Sequence, residues 1–458
     1  MITGVVQFFY PDIKKEDIKK VTLLGVAFLF TVGAYWLLRL LKDLFFYKSL
    51  AFPVSLGWSP DEGRLAIPFA KLVSPWIVLV AVIIYTKLVD TFEKHKLFYI
   101  IISFYTVAFS IIAAIVFTQS TYGDAFVGAT VLKWTGYAAY WLTESFGSVL
   151  VALFWSFTVS STTSDQARRT FPFIVALGQF GSIAGSSLLL FGFKTWMLYC
   201  IAIAALIGIF LSIKHLIAVI PADQMRSDKE EKKSKPDMFG GIRLLVTEPY
   251  LLGVLVVSTF YEIAGTIVDY QMKSQVTMAG MDFEWFQGVY GTSVNVLSFA
   301  MALLGTSALM KKFGIRVCLL IYPISFAVML VGLYIYYVSG MSTPFLLAWA
   351  AFSVMLVVKA ASYAVNNPIK EMMYIPTSKD AKFKAKGIID MLGGRSAKAT
   401  GAGIAGKLNI KGNPALSIHN LFFYGSLISL GVIGAWIIAA LYVGNKNQKL
   451  VKNGEIIG

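Results

Sequence analysis

Ionisable side chains recur inside the apolar runs of this sequence. Arg39, Lys42 and Asp43 close the first run in "WLLRLLKD", Glu144 interrupts the fourth in "YWLTESFGSVLVALFW", and Glu262, Asp269 and Lys273 lie along the seventh in "YEIAGTIVDYQMKSQ". Lys359 and Lys370 fall in and at the end of the tenth, with Asn366 and Asn367 between them, and Asp390, Arg395 and Lys398 lie in the eleventh. A charge in hydrocarbon costs about 2.5–3.5 kcal/mol on insertion scales, so residues kept there are functional candidates. Helical spacing sorts them. Arg39 and Asp43, four apart, can pair, which leaves Lys42 as a free cation on nearly the same face. Glu262 and Asp269, seven apart, share a face, with Lys273 one turn further on. Arg395 and Lys398, three apart, form a two-cation patch, of which Asp390 can balance one. Basic residues outnumber acidic ones, so the chemistry to expect is capture of an anion. A multiply charged phosphate chain suits it, with Arg as a planar fork and Lys as a point charge. Glu144 and Asp269, on short stems, are either halves of ion pairs or proton or cargo sites. Asn366 and Asn367 carry amide donors and acceptors suited to a base edge. Lys71 and Lys133 lie near the starts of their runs, where a long stem can carry the ammonium to the headgroups.

These residues need elements that span a membrane. Of the 458 residues, 57% are hydrophobic and only 14% charged, and the mean hydropathy is +0.70. A soluble domain carries about 25% charged residues. Apolar runs of helical spanning length recur along the whole chain, whereas the short alternating segments of a membrane β-barrel are absent. The expected fold is therefore all-α and polytopic. Twelve spans are expected, near 21–42, 67–89, 97–118, 131–159, 171–193, 195–220, 249–272, 285–309, 317–338, 343–368, 386–408 and 418–443. Trp134, Trp141 and Trp155 read as bundle packing or interfacial anchors.

Loop charges orient the spans. With the N-terminus inside, one side receives "KKEDIKK", "DTFEKHK", "SDQARR", "MRSDKEEKKSK", "MKKFGIR" and "NKNQKLVK", while the other receives "SLGWSPDEG", "QSTYGD", "VSGMS" and "NIKGNP". This follows the positive-inside rule with both termini cytoplasmic. The net charge of +15 is thereby explained by topology and an anionic cargo, and nucleic acid is not an expected partner. The first 20 residues are polar and charged, so no cleavable leader is expected. Residues 221–241, "PADQMRSDKEEKKSKPDMFGG", divide the spans six and six. The expected organisation is two six-helix bundles, 1–220 and 242–458, joined by this cytoplasmic connector around a central cargo site, the major-facilitator arrangement.

Two cysteines in apolar runs imply no disulfide framework, and three scattered histidines lack metal-ligand spacing. "TGAGIAGKLN" (400–409) fits both GxGxxG and GxxxxGK. A P-loop needs a preceding strand and a Ser or Thr after the lysine, whereas Leu408 follows Lys407 inside an apolar span. The glycines read instead as a surface for close helix packing. No cofactor, catalytic triad or metal cluster is expected, so the chain is not expected to be an enzyme.

The run "NPIKEMMYIPTSKDAKFKAKGIIDMLGGRSAKATGAG" (367–403) resembles the signature region of the ATP/ADP translocases, nucleotide transporters of plastids and obligate intracellular bacteria. Lys370, Glu371, Met372, Tyr374, Ile375, Pro376, Lys382, Lys384, Lys386, Ile389, Asp390 and Arg395 fall on that pattern. "LLRLLKD" is similar to the family's first helix, with Lys42 on its functional lysine. "ESFGSVLVALFW" places Glu144 on its functional glutamate. "VDYQMKSQ" places Asp269 where the family usually has Glu, with Lys273 on the following lysine. "SDQARRTF" departs from the family's Glu-Ala-Lys-Arg pattern but keeps Ala167 and Arg169.

The resemblance implies a major-facilitator-like carrier, most often exchanging ATP for ADP by alternating access. Lys42, Lys273, Lys370, Arg395 and Lys398 would face the phosphates, and Glu144 and Asp269 would balance them or bond ribose and base. ATP and ADP are the expected cargo, with phosphate or other nucleotides open, in a monomer held in a bacterial inner membrane rather than a plastid envelope. A proton-coupled nucleotide symporter and an NAD/ADP exchanger on the same scaffold stay open. A membrane protein that binds anionic lipid without transport is the remoter alternative.

Overall fold

The computed structural model describes residues 10–221, 225, 238–304, 306–378 and 385–457. Most of the 221–241 connector and the lysines at 382 and 384 lie outside the described residues. The described chain is built from long helices: α1 (Lys15–Tyr47), α2 (Glu62–Thr91), α3 (Lys94–Tyr122), α4 (Ala129–Ser160), α5 (Ser164–Ser187), α6 (Thr195–Val219), α7 (Pro249–Met278), α8 (Phe283–Leu304), α9 (Thr306–Val338), α10 (Pro344–Ala361), α11 (Gly394–Leu408) and α12 (Ser426–Asn453). Among the described residues, ten helices are long and apolar enough to cross a membrane. The eighth and eleventh expected spans are helical but are not among those ten. In α8 the polar Gln287 and Asn295 dilute the apolar run, and α11 is a short helix rich in Gly and Ala.

Two compact units emerge. One comprises Met1–Pro60, Ile77–Lys233 and Gln287–Thr292; the other comprises Asp61–Trp76, Ser234–Phe286 and Ser293–Gly458. The hub of the first is α1, which packs most extensively on α5 and then on α6 and α4. Small residues set that approach. A Cβ on Gly181 would lie 2.2 Å from the Leu29 carbonyl oxygen, and one on Gly185 2.2 Å from that of Gly33. Such backbone-to-backbone contact gains dispersion that lipid cannot supply to bulkier residues. A capping box opens α5: the Thr163 hydroxyl accepts from the Gln166 amide (3.3 Å), while the Gln166 side chain accepts from the Thr163 N–H (3.4 Å). Gln166 also donates to Asp17 at the start of α1 (2.7 Å), and Arg169 stands 3.6 Å from the same carboxylate. The retained Arg169 of "SDQARRTF" therefore ties two helix starts together.

In the second unit α7 is the hub, packed on α12, α11 and α10. The glycine reading of α11 holds: a Cβ on Gly401 would meet the Ile263 carbonyl oxygen of α7 at 2.6 Å. Three one-turn π segments, Ser362–Asn366, Ile389–Gly393 and Leu421–Gly425, lie in this unit. Such wide turns shift the side-chain register and occur often at functional sites. The first part of α2 also belongs here. Arg64, 3% exposed, donates to the Asn409 side-chain oxygen, the Tyr270 hydroxyl donates to the Arg64 carbonyl (2.6 Å), and Asn409 donates to the Tyr270 oxygen. Lys411 pairs with Glu62 at 3.2 Å. A buried guanidinium needs such acceptors, since an unmatched one would carry its full desolvation cost.

One substitution made at two sites tests the packing. Gly185→Ala forces a backbone shift and should destabilise the fold by about 1–3 kcal/mol. On α12, a Cβ at Gly431 meets nothing within 4 Å, so Gly431→Ala should be neutral or add up to about 1 kcal/mol of helix propensity. Thermal unfolding in detergent reads both, and equal effects would contradict the close α1–α5 approach.

Candidate functional site

Each unit carries buried charge grouped around its hub helix. In the first, α1 brings Lys42 (5% exposed) against Glu144 of α4, and the Lys42 ammonium sits 3.8 Å from the centre of the Tyr140 ring. Tyr140 and Glu144, four apart on α4, present the ring and the carboxylate on one face. The expectation that Lys42 stays a free cation is thus corrected. A buried ammonium is stabilised by a carboxylate and an aromatic face, and the packing of α4 on α1 supplies both. Asp43 accepts a hydrogen bond from Gln287 (3.3 Å), and Arg39 lies 4.8 Å from the Trp36 ring centre. Trp155 is packed by Phe28, Phe154 and Phe171, and Trp141 stacks on Tyr137 at 5.4 Å.

In the second unit, α7 presents Glu262, Asp269 and Lys273. Asp269 is 3.1 Å from Lys273 and 3.4 Å from Lys71. Lys71 therefore does not reach for the headgroups. Its helix begins at Glu62, ahead of the expected span, so Lys71 lies more than two turns inside with a 12% exposed side chain and a carboxylate in reach. Although Asp is one methylene shorter than Glu, it still contacts both lysines. Glu262 is 3.6 Å from Lys359 of α10 and 3.6 Å from Lys398 of α11. Lys370, in the helical turn Asn367–Met373, donates to the Ser258 carbonyl (2.7 Å) and lies 4.4 Å from the Tyr261 ring centre.

Other expected residues are placed as follows. Asp390 is exposed, in the π turn ahead of α11, and Arg395 is partly buried on α11 itself. Asn366 is buried at 4%, and its side-chain nitrogen makes no hydrogen bond among the described residues; Asn367 is exposed. Lys133 lies 5.7 and 5.9 Å from the rings of Trp58 and Trp134 near the start of α4. Tyr140, Gln287, Tyr261 and Ser258 join the clusters without having been marked by sequence reasoning. Tyr140 and Ser258 carried a signal, since each stands four residues before a named carboxylate on the same helix. Gln287 carried none. Among the described residues no group of three or more His, Cys, Asp or Glu could hold a metal ion.

Helices of this length and apolarity, with lysines sharing carboxylates inside them, define a polytopic helical membrane protein. Solved structures bear out the fold: the nucleoside transporter NupG matches with a TM-score of 0.61 at 13% identity over 93% of this chain and 99% of that one. The D-xylose-proton symporter matches with a TM-score of 0.62 at 14% identity over 92% and 95%. The chain belongs to the TLC ATP/ADP transporter family, which it matches over residues 2–447. It is 26% identical to ADP,ATP carrier protein 2, chloroplastic, of Arabidopsis thaliana over 97% of this chain and 77% of that protein. It is 25% identical to ADP,ATP carrier protein 1 of Chlamydia muridarum over 95% and 90%, and 24% identical to that of Rickettsia bellii over 86% and 89%.

The Lys42–Glu144 pair makes a double-mutant test. Removing one partner of a buried pair strands the other, at a cost of about 3–5 kcal/mol. Glu144→Gln and Lys42→Met should each lower the unfolding temperature, and the double variant should recover much of the loss. Additive losses would mean that the two side chains do not depend on each other.

Proposed function

We propose that this chain exchanges ATP for ADP across a membrane by alternating access, carrying the nucleotide without hydrolysing it. The observation that carries this reading is the charge imbalance inside a chain of the ATP/ADP transporter family. In one unit, Lys71 and Lys273 share Asp269, Lys359 and Lys398 share Glu262, and Lys370 rests on a carbonyl. A polyphosphate supplies further negative charge. Named relatives in plastids, Chlamydia and Rickettsia are ADP,ATP carriers, which supports the same cargo here.

Coupling has a physical origin in that imbalance. Closing a low-dielectric site over clustered lysines is costly, whereas a bound anion stabilises them, so the loaded form isomerises more readily than the empty one. Lys42, Lys273, Lys370, Arg395 and Lys398 are the residues we assign to the phosphates, and Arg39 is a further candidate. Glu144 and Asp269 hold the lysines in place between cargoes. Asp390 tempers the field near Lys370, and Asn366 and Asn367 offer amides to the base. The carrier acts as a monomer in a bacterial inner membrane, with twelve spans, six on each side of 221–241. The loop charges support both termini being cytoplasmic.

Proteoliposomes test the proposal. Uptake of labelled ATP should require internal ADP or ATP, and Lys273→Ala and Arg395→Ala should each reduce it by about tenfold or more, the scale of one charge-assisted contact. Uptake into empty vesicles driven by external acid would show symport instead. Unchanged nucleotide binding in both variants would remove the charge clusters from the cargo path.

A further inference from the structure

Glu262 has surroundings that a simple structural ion pair does not need. It lies in the middle of α7, 7% exposed, and meets lysines from two other helices, Lys359 at 3.6 Å from Oε2 and Lys398 at 3.6 Å from Oε1. Both separations exceed a good charge-assisted hydrogen bond, which closes to about 2.7–2.9 Å. Oε2 is buried and makes no hydrogen bond among the described residues. A third cation, Lys370, acts on the same carboxylate from its seat on the Ser258 carbonyl and the Tyr261 ring. One carboxylate is therefore shared by three lysines, the half-exposed Lys398 among them, with Asp390 and Asp269 acting in turn on Lys370 and Lys359.

We propose that Glu262 is a built-in substitute for the cargo's phosphate, and that Lys359 is a phosphate-binding residue alongside Lys370 and Lys398. The proposal rests on the nucleotide-transport reading and deepens it. In the empty state the carboxylate keeps three lysines charged and grouped. An incoming oligophosphate takes over their contacts, so each lysine trades a carboxylate oxygen for a phosphate oxygen. The gain on binding is then the difference between two similar contacts, not the full attraction of three bare ammonium groups. A carrier needs that restraint, because a site must bind well enough to load and weakly enough to release. The multiple negative charge of a phosphate chain outcompetes a single carboxylate, whereas monovalent anions do not. The subsite therefore selects for the oligophosphate part of the cargo and ignores its base.

Calorimetry on the full chain in detergent, with ATP, ADP and inorganic tripolyphosphate, tests this alongside exchange in proteoliposomes. Glu262→Gln should bind ATP and tripolyphosphate about tenfold more tightly, with KM and the maximal exchange rate both lowered, the pattern of a lost competitor and slowed release. Lys359→Gln should weaken both ligands by a similar factor. Glu262→Asp, which keeps the charge but withdraws it, should tighten binding in the same direction, and it serves if the Gln variant does not fold. Unchanged or weaker binding in a folded Glu262 variant overturns the proposal, as does an unaltered tripolyphosphate affinity in Lys359→Gln. Should the wild-type protein bind neither nucleotide, the transport reading itself fails. If the wild type binds but the Glu262 variants do not bind more tightly, only the present inference fails.

Discussion

Charge in a low-dielectric interior must be matched, and the helices of this chain are arranged around that requirement. Water screens an ammonium group cheaply, whereas hydrocarbon does not, so each buried lysine either finds a carboxylate, an aromatic face or a carbonyl or loses its charge. Lys42 finds Glu144 and Tyr140; Lys273 and Lys71 share Asp269; Lys359 shares Glu262 with the half-exposed Lys398; Lys370 settles on Ser258 and Tyr261. Sharing is the informative part. Where two lysines divide one carboxylate, each acid organises bases from more than one helix, and the proposed cargo role of these lysines builds on that grouping.

Packing makes those matches possible. The hub helices α1 and α7 each carry the central charges of their unit, and each is approached closely by a glycine-bearing neighbour, α5 in one case and α11 in the other. Small residues let backbones touch, which fixes rotation about the helix axes. Rotation in turn decides which lysine meets which acid. Gly401 and Gly185 thus bear on the charge clusters without touching them, and the nucleotide-like pattern around Gly401 serves helix contact rather than phosphate. Wide π turns before α11 and after α10 adjust the same register near Asp390 and Asn366.

Much of this organisation is legible in the order of residues alone. The apolar helices, the small-residue face of α11, the shared face of Glu262 and Asp269 with Lys273 a turn beyond, and the family membership carried by 367–403 all depend on local order along the chain. A helical period of 3.6 residues converts sequence spacing directly into a face. Two expectations fail for one common reason. Spacing leaves Lys42 free and sends Lys71 toward the headgroups, because neither has an unclaimed carboxylate within a turn of it on its own helix. Their partners, Glu144 and Asp269, lie 102 and 198 residues away in the chain.

By itself, then, the order of residues determined which segments are apolar enough to enter the membrane, which of them carry charge and that the charge is on balance positive, since those properties are sums over neighbours along one helix. Only the tertiary structure decided the pairings: Tyr140 against Lys42, Gln287 on Asp43, Lys71 turned toward Asp269, and Glu262 divided between Lys359 and Lys398. Each is a contact between helices whose separation in sequence carries no information about their approach in space. That approach is set by side-chain volume across the whole interface, which no single stretch of the chain contains.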